Sequence, residues 1–526
     1  MNIRDLLNHW GGGQLLAYSG VDGDTDFFHG LTLRTTNQGI GLEVKLPGTL
    51  VTKFPDDSRC DWLTSDCFKL TSVRGVLLDA YHLLIEGPCE CGAIDKRLRV
   101  IRDGHRTLIG SRYGFNADMI HADIEKAMHD RLAWLRQATA PATPTMAKAF
   151  SQMKGMIYSA EGQIKRRFTT PDRWPHRGMW LWDSAFHAIG YRHVDTALAR
   201  EILSAVFDCQ REDGFVPIRS DPDFSHNHFT QPPVLALAAA LVNQKDPHRD
   251  WLAWIYPRLA AYVKWDLANR DSDGAGLLEW MIEENVNCRS GESGMDNSTR
   301  FDAATRMDAT DFNSFIASEC EVLSELAGIL GFIGEARHWR MEHDRMCRLI
   351  GQRLWSDRHQ FFVDYDLDRG CQSDVLASSG FLPLICGAAT PEQARLLREH
   401  LRNPATFGSP LPVPSVAANN PGYAKDMWRG PVWVNLNWLI AHGFERYGYH
   451  DDAGRIREET LAEIERQHRQ YGTLFEFFDD RREVPPPQLL RKGRLAPEVS
   501  FYHQVFHDYG WTATLYVDLA LQSQAR

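Results

Sequence analysis

Apolar and polar side chains alternate with period two in the first part of the chain. Residues 31–35, 42–46 and 98–102 follow this rhythm, which predicts half-buried strands. Gly20-Val21-Asp22-Gly23, Pro47-Gly48 and Asp103-Gly104 punctuate them as turns. Residues 1–117 therefore predict an antiparallel β-sandwich. Residues 117–137 turn helical, and a Pro/Ala/Thr run from Ala138 to Pro144 has little reason to pack. Residues 118–145 thus read as a helical linker. From 146 to 526 the apolar period becomes three and four, as in residues 196–203, 233–241, 317–326 and 453–458. Roughly a dozen helices on this rhythm predict a mainly α domain, a double-layered α/α toroid. No fixed short repeat runs through it, which argues against a TPR or HEAT solenoid.

Length and composition narrow the picture. A chain of 526 residues is too long for one ordinary core. Its 43% hydrophobic and 24% charged residues are those of a globular protein. The net charge is −11, and basic residues cluster only briefly, as at Lys165-Arg166-Arg167 and Arg491-Lys492. Nucleic acid is a poor partner for such a surface, and so is a membrane. No apolar run spans a bilayer, and residues 1–10 lack the apolar core of a signal peptide. The expectation is a cytoplasmic protein. The ten cysteines are scattered apart from Cys89 and Cys91, which do not complete a zinc site. They read as buried free thiols.

Sixteen tryptophans are the unusual number. An indole face stacks on a sugar ring or fills a core, and position decides between the two. Six loop segments matter, because loops at the mouth of a helical barrel are where a site is built. In Met179-Trp180-Leu181-Trp182-Asp183, two indoles flank a carboxylate that could accept sugar hydroxyls or cap a helix. Gln231, in Thr230-Gln231-Pro232-Pro233, could bond hydroxyls. The third segment holds Trp280, then Gly291-Glu292-Ser293-Gly294-Met295-Asp296-Asn297-Ser298-Thr299-Arg300-Phe301-Asp302. Its acids could serve chemistry, or Asp296-Asn297-Ser298 could cap a helix. Asp271-Ser272-Asp273-Gly274 lacks full EF-hand spacing and reads as an ordinary turn. No metal and no cofactor are expected. The fourth segment brings Trp428, Arg429 and Trp433 together. In the fifth, Glu476 lies among Phe475, Phe477 and Phe478, where desolvation raises a carboxyl pKa. The sixth is Phe506-His507-Asp508-Tyr509-Gly510-Trp511-Thr512, in which Trp511 is the candidate.

Together these segments resemble glycoside hydrolase family 63, and more distantly the family 37 trehalases, over about residues 150–520. Residues 291–302 resemble the family's Glu-Ser-Gly-x-Asp-Asn-Ser-x-Arg-Phe-Asp signature. Residues 428–435 resemble its Trp-Arg-Gly-Pro-(Ile/Val)-Trp loop. The resemblance implies an (α/α)6 barrel and hydrolysis of α-glycosides with inversion. It implies Asp296 as general acid and Glu476 as general base. The family usually carries Trp where this chain has Met295, which bears on local packing and on the aglycone side.

Inversion needs two carboxyls on opposite faces of the scissile bond, about 6.5–9.5 Å apart, one protonated and one activating water. Glu292 and Asp302 are the expected like-charged neighbours that keep Asp296 protonated. Arg429 is expected to hold hydroxyls or orient Glu476. Trp180, Trp182, Trp280, Trp428, Trp433 and Trp511 are candidate pocket walls, and Asp183, Gln231, Glu292 and Arg300 candidate substrate contacts. The expected partner is a small carbohydrate, first an α-glucoside, with a mannosylglycerate-type α-mannoside as alternative. An acidic aglycone would call on Arg177, Arg219 or Arg300. A phosphorylase needs no carboxylate base, and a binding protein would have lost one of the two acids.

Overall fold

The computed structural model describes residues 17–19, 23–36, 40–137, 143–493 and 505–524. The alternating segments form strands as their pattern predicts. One antiparallel sheet joins β1 (Ala17–Ser19), β2 (Thr32–Thr35), β3 (Gly41–Leu46), β4 (Leu50–Lys53) and β9 (Glu90–Cys91) in the order 1-2-3-4-9. The second has the order 10-11-8-7-6-5. It contains β5 (Cys60–Leu63), β6 (Cys67–Leu70), β7 (Arg74–Leu77), β8 (His82–Glu86), β10 (Leu98–Asp103) and β11 (Arg106–Ser111).

Leu33, Leu42, Val44 and Leu50 of the first sheet share a core with Phe68, Leu77, Leu83, Ile85 and Ile109 of the second. The opposite face of the second sheet is buried too. Cys67, Val76, Leu84 and Leu108 join the main core of the helical part. A sheet covered on both faces needs continuous apolar runs, and Leu83-Leu84-Ile85 is one. The Lys154–Asp66 ion pair, at 2.7 Å, and the bond from Phe27 N–H to Glu161 add polar ties across this junction.

The expected linker is only partly present. A 3-10 turn at Ala117–His121 precedes α1 (Ile124–Gln137), and residues 138–142 lie outside the described residues. Thr143 already caps α2 (Pro144–Gly155) through the Met146 N–H, and Pro144 sits in the first turn. It therefore starts a helix, where its missing N–H costs nothing, and does not end a linker.

The helices that follow are α3 (Leu181–Tyr191), α4 (Thr196–Asp208), α5 (Leu235–Lys245), α6 (Arg249–Asn269), α7 (Thr310–Leu330) and α8 (Ile333–Leu349). Then come α9 (Pro391–Arg402), α10 (Val434–Arg446), α11 (His450–Tyr471) and α12 (Gly510–Gln524). An inner ring closes through α3, α5, α7, the segment Ser378–Leu384, α10 and α12, each touching the next. The segment 378–384 is 3-10 and contains Pro383, so the fourth of the six inner positions is a 3-10 segment in place of an α-helix. Outer helices pack behind, α4 on α3 and α5, α8 on α7, and α11 on α10 and α12. This is the double-layered α/α ring that the three-and-four period predicts.

Composition separates the two layers. Every residue of α3 is buried, whereas α8 buries only Trp339, His343 and Met346. A helix enclosed on all sides is apolar all round, and an outer helix needs only a stripe. The inner contacts are close. A Cβ on Gly190 of α3 would lie 2.4 Å from Thr514 Cβ and 2.5 Å from its carbonyl oxygen in α12. Gly190→Ala is expected to cost about 1–3 kcal/mol through forced separation of these helices. Thermal denaturation checks this, and an unchanged midpoint would show that the ring accommodates the methyl.

Among the described residues no helix is long and apolar enough to cross a membrane. All ten cysteines are free thiols, but only Cys67, Cys320 and Cys386 are fully buried.

Candidate active site

The loops that precede the inner helices converge on one cavity of about 380 Å³, a size suited to a small ligand. Trp180, Trp182 and Asp183 come from the start of α3, Gln231 from the approach to α5, and Asp296 from the long loop before α7. Trp433 precedes α10, and Tyr509 and Trp511 open α12. The cavity thus faces the positive ends of several helix dipoles, which favours anionic groups.

Asp183 lies inside the first turn of α3 and does not cap it. It is 2% exposed, and its Oδ1 has no hydrogen-bond partner. Burial, helped by Asp172 and Glu476, holds its pKa well above the usual carboxylate range. Asp183 thus brings a buried carboxyl with an unpartnered oxygen to the cavity wall. Gln231 is held in place by the Trp182 N–H, which donates to its Oε1 at 3.2 Å.

Glu476 follows α11, whose end is set by Gly472 at φ 71°. A bond from its N–H to the Phe506 carbonyl (2.9 Å) fixes the loop. The side chain is 1% exposed. Arg491 grips both oxygens, Nε to Oε2 at 2.9 Å and Nη2 to Oε1 at 3.2 Å. Burial raises its pKa, and the Arg491 guanidinium offsets part of that rise. Arg491 in turn lies 4.0 Å over the Phe506 ring.

Asp296 sits where the Arg289 and Ser290 N–H groups donate to its carbonyl, at 2.8 and 3.3 Å. Its carboxylate pairs with the Lys492 ammonium. Gly294, two residues earlier, has φ 70°, and a Cβ there would lie 2.5 Å from the Trp182 ring. Glycine is required on both counts. One residue ties this loop to the segment around 492. Asp426 accepts from Asn297 Nδ2 (3.1 Å), from the Lys492 N–H (2.8 Å) and from the Gly493 N–H (2.9 Å).

The walls are aromatic. Trp182 meets Trp511 edge-on at 5.1 Å, and Trp433 stacks on Trp428 at 3.8 Å. Trp428 itself is not at the cavity surface and acts as a backing layer for Trp433.

Several expected contacts lie elsewhere. Trp280 stacks on Phe312 at 3.8 Å, and its Nε1 donates to Asp311 at 2.9 Å. Arg300 is fully buried between Asp311 and Asp364. Glu292 accepts from Arg270 (2.6 Å), from the Thr230 N–H (3.0 Å) and from the Met281 N–H (2.9 Å), fastening three loops. Arg429 is bidentate to Asp302, at 2.8 and 2.7 Å. It is therefore Arg491 that orients Glu476. Glu292 and Asp302 are each neutralised by an arginine, and the partner of Asp296 is a cation. Met295 is buried against Arg300 and does not line the cavity. Of the arginines expected for an acidic aglycone, only Arg219 reaches the cavity, and Asp221 holds it (Nη2–Oδ2 2.6 Å). Arg177 donates to the Phe27 carbonyl and lies over the Phe27 ring.

His176, Arg491, Lys492 and Tyr509 line the cavity without having stood out as site residues in the sequence. Arg491-Lys492 carries a signal as a basic pair, but a short basic pair reads as surface charge. His176 is anchored by Asp172 through Nδ1 at 2.7 Å. Away from the cavity, Asp271, Asp273 and Glu279 gather at the turn after α6. Asp271 Oδ2 accepts from the Gly276 N–H and Glu279 Oε1 from the Ser272 N–H, while Asp271 Oδ1 is buried without a hydrogen-bond partner.

Known proteins are similar to this chain. The model of the mannosylglycerate hydrolase MGH1-like glycoside hydrolase domain matches residues 175–512. The mannosylglycerate hydrolase of Thermus thermophilus is 28% identical over 57% of this chain and 89% of its own length. That of Rubrobacter radiotolerans is 26% identical over 73% of this chain and 99% of its own. Among solved structures, a GH63 mannosylglycerate hydrolase of Thermus thermophilus in complex with glucose superposes with a TM-score of 0.59. It is 25% identical and covers 72% of this chain and 100% of its own. The match spans more than half of the chain, includes both cavity carboxylates, and falls on the ring of helices that carries them; the chain belongs to the MGH1-like glycoside hydrolases of family 63 and is a glycosidase.

Proposed function

We propose that the protein hydrolyses the α-glycoside of a small hydroxy acid, a mannosyl- or glucosylglycerate, with inversion at the anomeric carbon. The observation that carries this reading is the pair Asp296 and Glu476. They are two carboxyls on different loops of one aromatic-walled cavity, each with its own cation. Asp296 donates a proton to the leaving glycosidic oxygen. Glu476, oriented by Arg491, takes a proton from the water that attacks the anomeric carbon from the opposite face. Trp182, Trp433 and Trp511 stack on the sugar, and Asp183 and Gln231 bond its hydroxyls. The relatives' mannosylglycerate activity supports the acidic aglycone, and the glucose bound in one relative supports a glucose-accepting pocket. The catalytic unit in this reading is residues 146–526, with residues 1–117 as an appended β-sandwich.

The test is sugar release from mannosylglycerate, glucosylglycerate, kojibiose, nigerose, trehalose and isomaltose, with the first-formed anomer read by NMR. The expected result is β-sugar from a glycosylglycerate, lost in Asp296→Asn. α-Sugar as first product would overturn inversion. Turnover of only the neutral disaccharides would overturn the acidic aglycone.

A further inference from the structure

Lys492 occupies an unusual position. Its ammonium pairs with Asp296 at the cavity, yet its backbone is left-handed at φ 58°. A lysine there costs on the order of 1–3 kcal/mol, and such strain persists only where the surroundings impose it. Here Asp426 imposes it by accepting from the N–H groups of both Lys492 and Gly493. The same Asp426 holds Asn297, the neighbour of Asp296. The fold therefore places a cation against the one carboxyl that must carry a proton. While the ammonium stays on Asp296 Oδ2, that oxygen is not free to serve a leaving group.

An acidic substrate removes this conflict. We infer that Lys492 is a charge-exchange residue, whose ammonium leaves Asp296 for the carboxylate of the incoming aglycone so that Asp296 can take up a proton. The inference rests on the acidic-aglycone reading above. Other cations at the cavity are less free to move. Arg491 is spread over both oxygens of Glu476, and Arg219 over both oxygens of Asp221. A guanidinium fork is committed to its geometry, whereas a lysine is a point charge on a flexible stem.

The remaining charged groups around the pair do not replace it. Lys425 is engaged with Asp479 and Asp480, Asp426 with the backbone at 492 and 493, and Glu283 accepts from the Gly291 N–H at 3.3 Å. Burial raises the Cys288 thiol to about 12, so it is neutral at working pH. Proton balance is simple. Asp296 takes a proton from solvent as the acid binds and passes it to the leaving oxygen when the C–O bond breaks. Water supplies the new C–OH bond, and its proton goes to Glu476.

The experiment compares a glycosylglycerate with the matching neutral glycosylglycerol, in wild type, Lys492→Met and Lys492→Arg. In Lys492→Met, the ratio of kcat/KM for the acid to that for the neutral glycoside should fall about 100-fold. Lys492→Arg should retain part of the preference. Calorimetry with glycerate alone supplies a second, activity-independent readout. Binding should weaken in Lys492→Met, and in Asp296→Asn it should tighten about tenfold, because the competing carboxylate is gone. Because loss of a carboxylate favours any anion, the diagnostic result is that the tightening disappears in the Lys492→Met/Asp296→Asn double variant. Equal losses on both glycosides, or unchanged glycerate affinity in Asp296→Asn, would overturn the inference. Should wild type hydrolyse no acidic glycoside, the functional reading fails, and the glycerate affinities still decide the role of Lys492.

Discussion

Glu476→Gln is expected to lower kcat by about three orders of magnitude with little change in KM, as loss of a general base does. The amide keeps the shape of the side chain but removes one charge of the buried Arg491–Glu476 pair, so a lower melting point is expected while the variant still folds. A thermal melt of the variant checks this. What the amide lacks is basicity. It also presents an NH2 toward the Arg491 guanidinium, which is all donor and holds the native carboxylate at 2.9 and 3.2 Å. Glu476→Ala in the presence of azide provides a sharper result. The small anion should attack from the side vacated by the carboxylate and give a glycosyl azide of β configuration. Absence of rescue together with wild-type turnover in Glu476→Gln would remove Glu476 from the mechanism.

The pH dependence follows from the same burial. In the proposed mechanism Glu476 must be ionised to accept a proton, and burial places its pKa above the ordinary value of 4.5. Activity is therefore expected to be complete above that raised value and to be lost as pH falls through it. In kcat/KM the acid limb should lie above the usual range for an exposed glutamate.

Arg300→Met is expected to cost at least about 3–5 kcal/mol of stability, the range for removing one partner of a buried ion pair. Arg300 is 3% exposed and satisfies two carboxylates at once. Nη1 and Nη2 reach Asp311 at 2.6 and 2.8 Å, and Nε and Nη2 reach Asp364 at 2.8 Å each. Both acids also hold local structure. Asp311 accepts from Trp280 Nε1 and the Phe312 N–H, and Asp364 accepts from the Thr310 N–H that starts α7. Without the arginine, two negative charges remain buried with no cation between them. Urea denaturation of the variant beside wild type measures the loss. A stable Arg300→Met enzyme with raised KM would instead make Arg300 a substrate contact.

Sequence and structure contributed unequally. The period-two and three-and-four rhythms determined the two kinds of domain, because burial of one face or one stripe is a local property of the chain. The motif at 291–302 and the loops at 180–183, 231 and 476 determined where the cavity would be, because loops before inner helices must meet at the mouth of the ring. The sequence alone could not tell which charged residue in a motif faces the cavity and which faces another loop. Glu292, Arg300 and Arg429 look as functional in sequence as Asp296, yet tertiary pairing with Arg270, Asp311, Asp364 and Asp302 turns them into fasteners. Trp280 and Trp428 likewise became packing layers once Phe312 and Trp433 covered their faces. Arg491 and Lys492 gained their importance only from contacts with Glu476 and Asp296, carboxyls that lie on other loops of the ring. Charge pairing over such separations has no periodic trace in sequence, since it depends on which loops the closed ring brings within a few ångströms of one another.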